Sequence, residues 1–202
     1  MKTKLLITAL TCLAATFSFA EELKVGSAAP AFSLPDTAGK THSLADYKGK
    51  YVVLEWFNEG CPFVKKHYAS GNMQKLQKEY TGKDVVWLSI ASSAEGEQGH
   101  VTPESAKKTV ADWKMDATKI LLDHDGKAGK AYNAKTTPHM YVIDPEGKLV
   151  YQGAIDSKAT ANAADIDGSE NYVKVALDNS MAGKPVQNSS TKPYGCSVKY
   201  KN

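Results

Sequence analysis

Residues 51–57 read Tyr-Val-Val-Leu-Glu-Trp-Phe, a run of apolar, aromatic and β-branched positions with one charge inside it. Both alternating faces are hydrophobic, as in a central strand covered on both sides. Asp84–Ala91 (DVVWLSIA) repeats the pattern, Lys119–Leu122 is a shorter strand, and Met140–Asp144 is another. Pro145-Glu146-Gly147 then makes a tight turn to a hairpin partner at Leu149–Gly153. Helical spacing separates these strands. Pro62 occupies a favoured first helical position, and Val64, Tyr68, Leu76 and Tyr80 follow at helical intervals, interrupted by Ser70-Gly71, where a kink or break is expected. Thr102 caps a helix that starts at Pro103, carries Glu104 at its positive end and shows Val110 and Trp113 on its apolar side. Gly126–Tyr132 is a short helix, and Ser169 caps a last one that runs through Met181 to a stop at Gly183.

The order strand–helix–strand–helix, then hairpin, then helix, requires a parallel sheet extended by antiparallel strands. The expected fold is α/β, a central mixed sheet flanked by helices, in one domain over residues 21–183. Glu22–Asp46 and Ser92–Thr102 read as loops, the first with short extended pieces. Residues 184–202 contain Pro185, Pro193 and Gly195 with little periodicity and read as a flexible C-terminal tail. The length of 202 residues, 42% hydrophobic and 23% charged, suits one well-filled globular domain and excludes a disordered chain.

Met1–Ala20 has Lys2 and Lys4, an apolar run from Leu5 to Ala15, and a small-residue end at Ser18-Phe19-Ala20. That is the pattern of a cleaved secretory signal, so an exported, periplasmic or secreted, protein is expected, with Cys12 lost on processing. The run is short for a membrane anchor, which needs roughly 20 apolar residues, and no later stretch is long enough. Cys61 and Cys196 then remain, in a compartment where thiols can be oxidised. All 25 basic residues are lysines, so no guanidinium fork is available to any site. The net charge of +3 and the scattered lysines exclude a nucleic-acid surface, and no glycine-rich loop after a strand indicates a nucleotide cofactor.

Cys61 falls where a buried strand gives way to a helix. Free N–H groups and the positive end of the helix dipole favour the thiolate there, and Lys65, Lys66 and His67 add nearby charge. Thiolate is the attacking form in disulfide exchange and in peroxide reduction. The plain alternative is a small buried hydrophobe. Glu55 is the charge inside the first strand. Desolvated there, it would have a raised pKa and could exchange a proton during thiol chemistry; otherwise it faces a solvated sheet edge. Thr136-Thr137-Pro138 precedes a strong strand, where a proline needs a structural reason such as a tight turn. Cys61, His67 and His139 lack a second cysteine at ligand spacing, so no metal and no other cofactor is expected.

Several segments taken in order resemble the thioredoxin superfamily, and within it the redoxin branch of AhpC/TSA-like and peroxiredoxin-like proteins. They are residues 29–36 (APAFSLPD) with Gly39-Lys40, residues 43–50 (SLADYKGK), residues 52–57 leading to Cys61-Pro62, Ala131-Tyr132 ahead of Thr137-Pro138, and residues 141–148 (YVIDPEGK). The resemblance spans about Val25 to Ile155. It implies a thioredoxin-like fold and gives Cys61 the role of the attacking cysteine and Glu55 that of the buried acid. It makes Pro138 the cis-proline that faces the sulfur, with Thr137 offering backbone hydrogen bonds to a substrate and Pro62 beside them. The chain departs from the family in three ways. Val64 stands where thioredoxins carry a second cysteine, and Asn58 stands where peroxiredoxins carry threonine or serine; the peroxiredoxin arginine is also missing.

Cys196 lies among aromatics in Pro193-Tyr194-Gly195-Cys196-Ser197. It resolves an oxidised Cys61, forms a structural bridge, or stays free or pairs between chains. The favoured function is thiol–disulfide exchange on a protein thiol or disulfide, with an unspecified reducing partner. The alternatives are a peroxiredoxin-like peroxidase acting on a peroxide, and a non-catalytic module that binds a peptide or partner protein.

Overall fold

A computed structural model describes residues 23–201; the expected signal segment and Cys12 lie outside them. A short hairpin, β1 (Ser33–Pro35) and β2 (Thr41–Ser43), leads through a 3-10 turn at Leu44–Tyr47 into β3 (Val52–Trp56). Helices α1 (Pro62–Ala69) and α2 (Asn72–Thr81) connect β3 to β4 (Val86–Ala91), and α3 (Pro103–Trp113) connects β4 to β5 (Lys119–Leu122). Next come α4 (Lys127–Ala131), β6 (Thr136–Thr137), β7 (His139–Ile143) and β8 (Leu149–Gly153). The chain ends with α5 (Tyr172–Met181) and β9 (Cys196–Ser197).

The central sheet has the order β5-β4-β3-β7-β8. β3, β4 and β5 run parallel, and β7 and β8 are antiparallel additions, so the sheet is mixed. β3 lies in the middle, buried at every position, because both of its faces are apolar. Val53 and Phe57 point into the core formed with α1, α2 and α5. Val52, Leu54 and Trp56 point to the opposite core, covered by the N-terminal hairpin and α4. This thioredoxin-like arrangement puts the C-terminal end of β3 directly before α1, with Cys61 as the helix N-cap and Pro62 at its first position.

The break expected at Ser70-Gly71 is present, with Gly71 at φ +76°, a left-handed conformation that glycine adopts without strain. Thr102 caps α3 as expected, its side chain accepting the N–H of Ser105. The cap of α5 differs from expectation. Asn171, not Ser169, accepts the N–H of Lys174 at 2.9 Å, while the Ser169 hydroxyl donates to the Ile166 carbonyl. Asp156 bridges to Asn171 and fixes where that helix starts.

The C-terminal segment is not a free tail. Its backbone pairs with β8 at Ser189 and Thr191, with Lys135 at Val198 and with Ala94 at Lys199. β9 adds to β6 in an antiparallel pair, Thr136 opposite Ser197 and Thr137 opposite Cys196. No helix among the described residues is long and apolar enough to cross a membrane.

Candidate active site

Cys61 is wholly buried and belongs to the larger core cluster, yet it is surrounded by polar partners. Its thiol donates to the Thr137 carbonyl at 3.1 Å. The Thr137–Pro138 peptide is cis, which brings the proline turn to the sulfur. Burial opposes ionisation of Cys61. The Cys196 thiol, the Thr137 side chain and the backbone N–H groups of Cys196 and Val64 outweigh it, and hold the Cys61 pKa below that of an ordinary thiol. Cys196 moves the other way: burial, then its bond to Cys61 and the charge there, push its pKa up, with Lys199 partly offsetting them. Of the two thiols, Cys61 is thus the more acidic.

Expectation and structure differ over the charges near Cys61. Lys66 and His67 do not present positive charge to it. Lys66 is buried, with its Nζ 3.3 Å from Asp156 and 2.9 Å from the Lys158 carbonyl. Burial, only partly countered by Asp156, lowers the His67 pKa to about 4, so its ring is neutral near pH 7. The thiolate depends on hydrogen bonds and the helix start instead.

Glu55 faces the interior, not a sheet edge, and is fully buried in the middle strand. Tyr68 Oη donates to its Oε1 at 2.8 Å, and Trp87 Nε1, Ser89 Oγ and Gln77 Nε2 donate to its Oε2 at 2.8, 3.0 and 3.2 Å. Burial raises its pKa despite these four donors. Among the described residues no hydrogen bond joins Glu55 to Cys61; the carboxyl ties α1, α2 and β4 to the strand that leads there. Pro62 is exposed, Pro138 is buried, and Asn58 is committed elsewhere. The Asn58 Nδ2 donates to Gln98, and its Oδ1 accepts the Gly60 N–H at 2.8 Å. No group of three or more His, Cys, Asp or Glu among the described residues is arranged to hold a metal ion.

The anchorage of the second cysteine has no signature in the sequence. Tyr194, two residues before Cys196, donates its hydroxyl to Asp156, and its ring meets the Phe63 ring edge-on at 5.8 Å. Gly195, at φ +132°, lies so close to Thr137 that a Cβ there would fall 2.0 Å from the Thr137 carbonyl oxygen. Only the aromatic neighbours of Cys196 were visible beforehand, and Asp156 carries no local signal.

Known proteins give the geometry a context. A model of the AhpC/TSA family matches residues 25–152. The thioredoxin-like protein YneN of Bacillus subtilis (strain 168) is 31% identical over 147 residues, 72% of this chain and 81% of that one. The thiol-disulfide oxidoreductase ResA of the same organism is 30% identical over 136 residues, 67% of this chain and 70% of that one. A crystal structure of an uncharacterized conserved protein from Geobacillus kaustophilus superposes with a TM-score of 0.78 at 30% identity, over 90% of this chain and 94% of the other.

Proposed function

The chain belongs to the AhpC/TSA family of thioredoxin-like oxidoreductases, and on that premise we propose that it is an exported enzyme of thiol–disulfide exchange whose Cys61 and Cys196 cycle between dithiol and disulfide. One observation carries the reading: two free cysteines meet at the proline turn, the Cys61 thiol on the Thr137 carbonyl and Cys196 opposite Thr137 in the strand pair, close enough to lower the Cys61 pKa.

In the reducing direction the Cys61 thiolate attacks one sulfur of a substrate disulfide. A Cys61–substrate S–S bond forms, the substrate bond breaks, and the leaving thiolate takes up a proton. Cys196 gives up its own proton and attacks Cys61. The Cys61–Cys196 bond forms, the mixed disulfide breaks, and the second substrate thiol leaves. The substrate has gained two electrons and two protons, and an external dithiol restores the enzyme. The reverse sequence oxidises a substrate dithiol. Thr137 and Pro138 border the attack site, Pro62 lies at its rim, and Glu55 steadies the framework beneath it. Support for export comes from the composition of Met1–Ala20.

The test is to trap the intermediate. Cys196→Ser should accumulate a mixed disulfide on Cys61 with a disulfide-bonded substrate protein, whereas the unaltered chain should pass on to an intramolecular disulfide, lighter by two hydrogens in non-reducing mass spectrometry. Failure of the unaltered chain to form that bond in a glutathione buffer would overturn the cycle.

A further inference from the structure

A sulfur with no exposed surface cannot meet an external disulfide, so something over Cys61 has to move before exchange begins. The proline turn is built into β6 and β7, and α1 is packed into the core. What remains is the segment 193–198, whose β9 pairs with β6 beside the sulfur in a two-residue ladder, followed by one further backbone bond from the Val198 N–H to the Lys135 carbonyl. So short a ladder is weak by itself. Two residues before Cys196, the Tyr194 hydroxyl donates to Asp156, a buried carboxylate outside the segment.

Asp156 is a fixed post. It is buried, and one of its oxygens accepts Lys66 Nζ and the Ser169 hydroxyl, while the other accepts the Lys158 N–H. His67 Nε2 lies 3.8 Å away. Apart from Tyr194, these partners stand on α1 or in the segment after β8, so the carboxylate stays in place when the C-terminal segment lifts. Tyr194 is the group that joins the moving part to the post, and its ring also rests against Phe63 and below Lys66 Nζ, 5.7 Å from the ring centre.

We propose that Tyr194 is a positioning residue: bonded to Asp156, it clamps β9 over Cys61, and so sets both how often the sulfur opens to an external disulfide and how firmly Cys196 closes on it. The inference rests on the exchange reading for its second consequence only. The first, coverage of Cys61, holds whatever the protein reduces or oxidises.

Tyr194→Phe keeps the ring and removes the hydroxyl, with its bond to Asp156 and its longer contact at 3.4 Å with His67 Nε2. A hydrogen bond to a charged group is commonly worth enough to shift an equilibrium by about tenfold or more. Alkylation of Cys61 by iodoacetamide, measured in a Cys196→Ser background on the high-pH plateau, should therefore speed up about tenfold. In the chain with both cysteines, the equilibrium constant for the Cys61–Cys196 bond against glutathione should fall by a similar factor. Gly195→Ala, whose Cβ collides with the Thr137 carbonyl, should lift the strand by another route and reproduce the faster alkylation. Denaturant unfolding of each variant separates local from global opening. Unchanged alkylation in Tyr194→Phe overturns the clamp, and so does an acceleration fully matched by lost global stability. If the unaltered chain forms no Cys61–Cys196 bond, the exchange reading fails, while the alkylation arm still decides the clamp.

Discussion

Thr137 and Cys196 face each other as register partners in the β6–β9 pair, and the Cys61 sulfur meets both, bonded to the Thr137 carbonyl at 3.1 Å and with its pKa lowered by the Cys196 thiol. The thiol form of Cys61 donates to the Thr137 carbonyl, and the thiolate accepts from the Cys196 thiol. A two-residue strand pairing therefore brings together two of the groups that lower the Cys61 pKa.

Cys196→Ala removes a donor from that sulfur and leaves the others. The pH midpoint of Cys61 alkylation should move to higher pH, since the thiolate loses stabilisation while burial still disfavours it. Reaction rate against pH, followed with a chromogenic thiol reagent, measures the shift. A midpoint that stays put or moves down would show that Cys196 does not stabilise the thiolate.

Glu55 makes stability depend on pH in a defined sense. Its folded pKa is raised by burial, so the folded state binds more protons than the unfolded state above about pH 4.3, the ordinary glutamate value. The contribution is fully present below that pH and is lost as pH rises through the folded pKa. Glu55→Gln should remove this decline, and urea unfolding of both proteins across the range would reveal it as a difference in slope. Glu55→Ala, which strands the donors on Tyr68, Gln77, Trp87 and Ser89, should cost about 3 kcal/mol at any pH in the range.

The sheet and helices were legible because their patterns are local. β5 and β8 have the bounds expected from Lys119–Leu122 and Leu149–Gly153, and the glycine break between α1 and α2 needs only its own neighbours. Three features depended on distant contacts. Ser169 and Asn171 both suit an N-cap, and the bridge from Asp156 selected Asn171. Lys66 and His67 look like solvated charges in sequence, but α1 is sandwiched, and Asp156 meets them in the interior. The approach of Cys196 to Cys61 rests on a pairing two residues long, too short to leave any periodicity. The candidate attacking cysteine could be read locally; its partner could only be named.

The buried Lys66–Asp156 pair should be unforgiving of half-removal. Both side chains are almost wholly out of water, so Lys66→Met leaves a carboxylate without its ammonium partner. Loss of one member of such a pair costs about 3–5 kcal/mol, and the unfolding midpoint in urea should fall accordingly. Adding Asp156→Asn removes the stranded charge and should recover part of the loss. A Lys66→Met protein as stable as the unaltered chain would mean that the pair is not desolvated in solution.

Peroxide chemistry separates two uses of the same thiolate. Fast peroxide reduction needs donors that grip the peroxide oxygens beside the sulfur. Here the Asn58 amide is turned to Gln98 and Gly60, no arginine exists in the chain, and Cys61 is covered. Disulfide exchange needs none of those donors, only a thiolate, access and a resolving thiol. Reduced protein should therefore consume hydrogen peroxide no faster than free cysteine compared as thiolate, while it equilibrates readily with a disulfide in glutathione buffer. Stopped-flow tryptophan fluorescence can follow both reactions, since Trp56 and Trp87 are buried in the sheet that carries the site. Rapid, saturable turnover of peroxide with slow disulfide exchange would reverse the assignment of substrate class and require donors at the sulfur that the covered state does not present.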